Sequence, residues 1–69
     1  PMNKQLLMSL INCSDGESVN LSKFLSSHPD TPTLRSQLKV LSDAKYITVL
    51  YSDDDIEEIA INSKALNQR

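Results

Sequence analysis

Apolar positions along the chain follow two rhythms, one helical and one alternating. Over residues 3–13, Leu6, Leu10 and Cys13 recur at helical spacing, and Leu7 and Ile11 form a second stripe, with Met8 beyond it. The spacing predicts a first helix over 3–13 that is apolar around more than half its circumference. An ordinary surface helix shows one apolar face a little over 100° wide. The surplus has three explanations: a central helix clasped by the other elements, a terminal segment around Leu66 that folds back over the same patch, or a side formed by Leu7, Met8 and Ile11 that meets a second subunit. Asn20 is a good cap for a second helix over 21–27, where Leu21, Phe24 and Leu25 have i, i+3, i+4 spacing. Phe24 is the only phenylalanine and the expected centre of the core. His28-Pro29-Asp30 then breaks the helix, because the residue before proline avoids the α region. Thr31 caps a third helix with Pro32 at its first position, where a missing N–H costs nothing. That helix should run to Asp43 or Ala44. Leu34, Leu38 and Leu41 form its buried stripe; Arg35, Ser36, Lys39 and Asp43 lie opposite, with Thr33 and Val40 along one edge. No Gly or Pro follows it, so the β-rich run from Tyr46 is expected to end it.

The alternating rhythm begins at Tyr46. Residues 46–51 and 56–61 read as the arms of a hairpin. Ile59 and Ile61 share one face of the second arm, and Ile47 and Val49 oppose them only if the turn holds three residues, Asp53-Asp54-Asp55. A slip of one residue would send the whole apolar set to solvent. Earlier, Ser14-Asp15-Gly16-Glu17 reads as a turn, with the only glycine placed just after a helix end, where a positive φ is often required. Ser18-Val19-Asn20 reads as a short extended segment, and 62–66 as a short terminal turn or helix. The expected core is Leu6, Leu10, Phe24, Leu34, Leu38, Leu41, Ile47, Val49, Ile59 and Ile61.

Composition narrows the possibilities. Sixty-nine residues make one small domain over 1–69, and Pro1, standing before an apparent initiator methionine, reads as an addition to the natural chain. One cysteine, Cys13, forms no internal disulfide and reads as a buried, reduced thiol, which points to the cytoplasm. No apolar run approaches the roughly 20 residues of a membrane span, and no secretory signal is visible, so Asn12-Cys13-Ser14 reads as a chance glycosylation sequon. Neither a catalytic constellation nor a cofactor motif is visible, and the lone His28 has no companion ligand, so an enzyme, a cofactor and a metal site are not expected. Asp53, Asp54, Asp55, Glu57 and Glu58 lack the spaced oxygens and the glycine of a calcium loop, and read as a solvated turn. The formal charge is −2, from seven Lys and Arg against nine Asp and Glu. That is an unusual balance for a nucleic-acid binder, whose affinity comes mostly from neutralising phosphates.

Leu38-x-x-Leu41-x-x-Ala44-Lys45-Tyr46-Ile47, a polar turn, and Ile59-Ala60-Ile61-Asn62-Ser63-Lys64-Ala65-Leu66 together resemble the winged helix-turn-helix superfamily. Its bacterial regulators commonly carry a leucine-rich helix ending in Gly-Tyr-Ile and a second strand running into Leu-Thr-x-Lys-Gly. The resemblance implies an α+β winged helix-turn-helix with a three-helix core and a C-terminal β-hairpin wing, and a minor strand near Ser18 pairing with the hairpin edge. It also implies a cytoplasmic transcriptional regulator of bacterial or phage origin, with the helix over 31–44 in the major groove of double-stranded DNA. The DNA-binding residues would then be Thr33, Arg35, Ser36, Gln37, Lys39, Lys45 and Lys23. Arg35 and Gln37 are types that read guanine and adenine edges; the lysines would meet phosphates. A homodimer through Leu7, Met8 and Ile11 would place two such helices on adjacent half-sites. The chain departs from the pattern at Ala65, where the superfamily usually has glycine, and in its acidic wing. The alternative implied function is a winged-helix module that binds a protein partner through the first helix or the acidic wing. The surface around Arg35 and Lys39 separates the two: a continuous positive strip favours DNA, and an acidic wing folded across that strip favours protein.

Overall fold

The computed structural model describes residues 1–67. In chain order the elements are α1 (Lys4–Asn12), β1 (Ser14–Asp15), β2 (Ser18–Val19), α2 (Leu21–Ser27), α3 (Pro32–Asp43), β3 (Ile47–Ser52), β4 (Asp55–Ile61) and α4 (Ser63–Leu66). Among the described residues this is an α+β arrangement of four helices and one antiparallel sheet in the order β1-β2-β4-β3.

The helix starts follow from local chemistry. Orphan N–H groups of the first turn are met by side-chain oxygens of the preceding residue. Asn3 Oδ1 accepts from Leu6 N–H at 2.9 Å, Asn20 Oδ1 from Lys23 N–H at 3.2 Å, and Thr31 Oγ1 from Leu34 N–H at 3.1 Å. The end of α3 differs from expectation. Tyr46 N–H donates to Leu41 O and Lys45 N–H to Ser42 O, both at 3.0 Å, and Lys45 takes φ +70°. These two bonds and the left-handed residue define a Schellman motif, so the helix is stopped by a specific C-terminal turn as well as by the strand after it. Lys45 occupies the place where glycine is usual.

The hairpin is more irregular than alternation implied. Ile47 pairs with Ile61 and Val49 with Ile59, as the apolar pattern required. The loop, however, holds two residues. Ser52 pairs with Asp55, and Asp53 and Asp54 take φ +50° and +69°, the signature of a type I′ turn. The odd residue sits in β4, where the register shifts between Leu50 opposite Glu58 and Tyr51 opposite Ile56, leaving Glu57 as a β-bulge. The bulge turns Glu57 and Glu58 both outward and keeps Ile56 and Ile59 both inside. Gly16 has φ +65°, but it serves the β1–β2 turn; Cys13 closes α1. Ser18 pairs with Ala60, and Ile61 N–H donates to Glu17 O at 2.6 Å, joining the small hairpin to the large one.

The core gathers Leu6, Leu7, Leu10 and Ile11 of α1, Phe24, the α3 leucines, Ile47, Ile56, Ile59, Ile61 and Ala65. Leu7 and Ile11 are 1% and 2% exposed, which contradicts their assignment to a dimer interface: the chain itself covers them. Ala65 and Leu66 belong to or pack against the same cluster, so the terminal helix adds cover that a three-helix count omits. Of the proposed patch only Met8 stays at the surface, 38% exposed. Val49 and Cys13, both expected inside, are half-buried at the margin. Among the described residues no helix is long and apolar enough to cross a membrane.

Candidate recognition surface

Helix α3 buries Leu34, Leu38 and Leu41 and turns its other sides outward. At 100° per residue, Thr33, Ser36, Lys39, Val40 and Asp43 share the side opposite the core. Arg35 and Ser42 lie on the flank toward β3, and Gln37 on the other flank. The resulting groove between α3 and β3 is about 430 Å³ and is lined by Arg35, Ser36, Leu38, Lys39, Ser42, Asp43, Val49 and Tyr51.

Arg35 is the best-connected side chain of this surface. Its Nε and Nη2 donate to the two carboxylate oxygens of Asp30 at 2.8 and 2.9 Å, a bidentate pair across the start of the helix. Nη1 donates to Asp54 Oδ1 at 3.3 Å and Nη2 to the Asp54 backbone carbonyl at 2.5 Å. The Tyr51 ring lies under the guanidinium, 5.1 Å from ring centre to Cζ. A guanidinium has five N–H donors, and four bonds are already made. Hydrogen bonding to Arg35 holds the Asp30 carboxyl below its ordinary value of 3.8 against the opposing effect of burial, and the Arg35 charge adds to the lowering. Bonding to Asp30, with the Asp54 charge adding to it, pushes the Arg35 pKa further above its ordinary value. The acidic turn of the hairpin thus reaches across to α3 and, with Asp30, encloses its principal cation.

The other anticipated contact residues divide. Thr33, Ser36, Lys39, Lys45 and Lys23 are exposed. Lys39 makes an i, i+4 pair with Asp43 at 3.2 Å; with both side chains well exposed, it is the kind of pair that stabilises little. Lys45 projects from the left-handed turn after α3, and Lys23 sits on α2. Gln37 is half-buried and lines a small depression with Asn3, Gln5, Leu6, Ser9 and His28, so it turns toward α1 and away from the outer face. Lys64 caps the C-terminal end of α3 by donating to Ala44 O at 2.8 Å, and lies 4.4 Å from the Tyr46 ring centre. His28 stacks on Phe24 at 4.5 Å between centroids and is occupied with packing. Among the described residues no group of His, Cys, Asp and Glu is arranged to hold a metal ion.

Sequence reasoning missed Asp30 and Tyr51 as partners of Arg35. The signal for Asp30 was local: a carboxylate five residues before an arginine at the start of a helix. Tyr51 and Asp54 come near Arg35 only through the chain reversal at the hairpin. No protein family, no curated protein and no solved structure matches the chain.

Proposed function

We propose that the chain is a winged-helix module that binds a protein partner through the groove between α3 and β3, and that its α3 face is not built to hold duplex DNA. The winged-helix reading rests on element order: a helix, a minor strand, two helices joined by a short turn, and a two-stranded wing whose inner strand β4 pairs with that minor strand. The protein-binding reading rests on one observation: Asp54 of the wing turn and Asp30 together enclose Arg35. Arg35 is the cation best placed on α3 to read a base, and it gives up four donors before any ligand arrives. A duplex seated along α3 would bring its phosphates against Asp53, Asp54 and Asp55, and among the described residues the cations near them are few: Lys39, Lys45 and Lys23, with Lys64 already bonded to Ala44 O. Duplex affinity depends on the number of phosphates neutralised, and this surface offers close to none in surplus. A groove with Val49 and Tyr51 on one wall and Lys39 and Asp43 on the other suits a peptide segment of mixed polarity.

A second reading, a DNA-binding regulator with α3 in the major groove, keeps one observation in its favour: Thr33, Ser36 and Lys39 remain exposed on one side of α3. One experiment separates the two. A photo-reactive residue at position 42, inside the groove, should crosslink to protein in the organism that carries the chain. Crosslinks to DNA, together with duplex sequences enriched from a random pool at low salt in a manner that Arg35→Ala abolishes, would overturn the protein reading.

A further inference from the structure

The sheet has two edges that differ sharply. β1 is two residues long, a length that offers little to a passing strand. The other edge is β3, Ile47-Thr48-Val49-Leu50-Tyr51-Ser52, which pairs with β4 on one side only. It contains no charged residue and no proline, and the bulge of the hairpin lies in β4, so β3 carries none of the usual devices that blunt an edge.

The ladder shows which groups are free. At one end of the hairpin, Asn62 N–H donates to Tyr46 O. At the other end, Ser52 and Asp55 close the two-residue turn. Hydrogen-bonded and non-hydrogen-bonded positions alternate along an antiparallel pair. Tyr46, Thr48, Leu50 and Ser52 therefore direct their N–H and C=O groups at β4, and Ile47, Val49 and Tyr51 direct theirs outward. Among the described residues no backbone or side-chain hydrogen bond beyond the sheet itself reaches those three.

We infer that this edge pairs with the same edge of a second copy, antiparallel about a two-fold axis at Val49. That register is the one that uses all three outward residues: Ile47 meets Tyr51, Val49 meets Val49, and Tyr51 meets Ile47. With two bonds for each pair, about six hydrogen bonds close the ladder. The same register sets Thr48 opposite Leu50, covering a leucine that is 48% exposed in one chain. It also brings the start of each β3, just after Lys45, to the end of the other β3, where the acidic turn begins at Asp53, so a cation comes near the acidic turn at both ends of the seam. A shift by two residues in either direction loses one third of the bonds and separates these charges. The second copy is thus favoured over an arbitrary extended peptide because the edge is complementary to itself in hydrogen bonding and in charge. A ladder of one short strand is a small interface, so the dimer is a weak one that forms with rising concentration. The inference does not rest on the proposed partner groove.

Sedimentation equilibrium from micromolar to millimolar concentration tests it, read beside the backbone amide signals of β3. The expected result is a monomer–dimer equilibrium in which the Ile47, Val49 and Tyr51 amides shift and become protected as concentration rises. Val49→Pro removes an outward N–H that β4 does not use, and should return the chain to monomer. Lys45→Glu and Asp53→Lys should each weaken dimerisation about tenfold, and the two together should restore it. A strict monomer at millimolar concentration overturns the inference. So does a dimer in which the charge exchange has no effect, or one abolished by Met8→Glu, which would transfer the interface to α1.

Discussion

Arg35 shows how much one side chain can decide. Its bonds to Asp30 tie the loop between α2 and α3 to the first turns of α3, and its bonds to Asp54 tie α3 to the turn between β3 and β4. Because the Asp30 carboxyl is held below its ordinary value, its contribution to stability is present at neutral pH and is lost as pH falls through that depressed value, below 3.8. An NMR titration of the Asp30 side-chain carboxyl should give a midpoint below 3.8 in the natural protein and one moved back up toward 3.8 in Arg35→Ala. Equal midpoints would mean that the pair does not form in solution. Lys45 offers a second test at this scale. A non-glycine residue in the left-handed region carries a cost of order 1–2 kcal/mol, partly offset by the entropy that glycine itself loses. Lys45→Gly should therefore raise the stability of the fold by about 1 kcal/mol in a denaturant melt, while Lys45→Val lowers it. Leu38, fully buried on the inner stripe of α3, should cost about 2–5 kcal/mol when truncated to alanine, much of the stability of so small a chain.

At the scale of elements, what was legible in the sequence was whatever depended on neighbours a few residues apart. Asn20 and Thr31 cap their helices, Pro32 takes the first position of α3, and the α3 leucines fall on its inner side because helical spacing and cap chemistry are local. Hairpin parity was local too, which is why Ile47 and Val49 stand opposite Ile61 and Ile59. Where the odd residue would be absorbed was not visible, since a three-residue turn and a two-residue turn with a bulge satisfy the same alternation. Asp53 and Asp54 tolerate positive φ better than most residues, and that tipped the balance toward the tight turn. Deleting Glu57 tests this. It should leave a regular two-residue hairpin with Ile56 and Ile59 still inside, the pairings at Ile47 and Val49 unchanged, and little loss of stability. Deleting Asp53 instead removes half of the type I′ turn and should unfold the hairpin. Equal damage from both deletions would place the irregularity elsewhere. The apolar breadth of α1 was likewise visible, and so was the fold-back of the segment around Leu66 as one way to cover it: Leu7 and Ile11 lie in one buried cluster with Ala65, and Leu66 packs against that cluster.

At the scale of the whole molecule, the distribution of charge matters more than its total. The cations of α3 and its surroundings are few, and carboxylates answer them, from Asp30 and Asp43 and from the turn between β3 and β4. No count along the chain foretells this, because the β3–β4 turn meets Arg35 only after the hairpin has folded back past the helix. The proposal that the β3–β4 turn closes α3 against duplex DNA has a direct consequence for binding. It is tested most directly by titrating a random-sequence duplex into isotope-labelled protein at low salt, following the amides of Thr33, Ser36 and Lys39 in the natural chain and in Asp54→Lys. The expected result is no saturable shift in the natural chain and a salt-sensitive one in Asp54→Lys, where a cation in the turn would attract phosphate. Saturable, steeply salt-dependent binding by the natural chain, lost in Arg35→Ala, would contradict it.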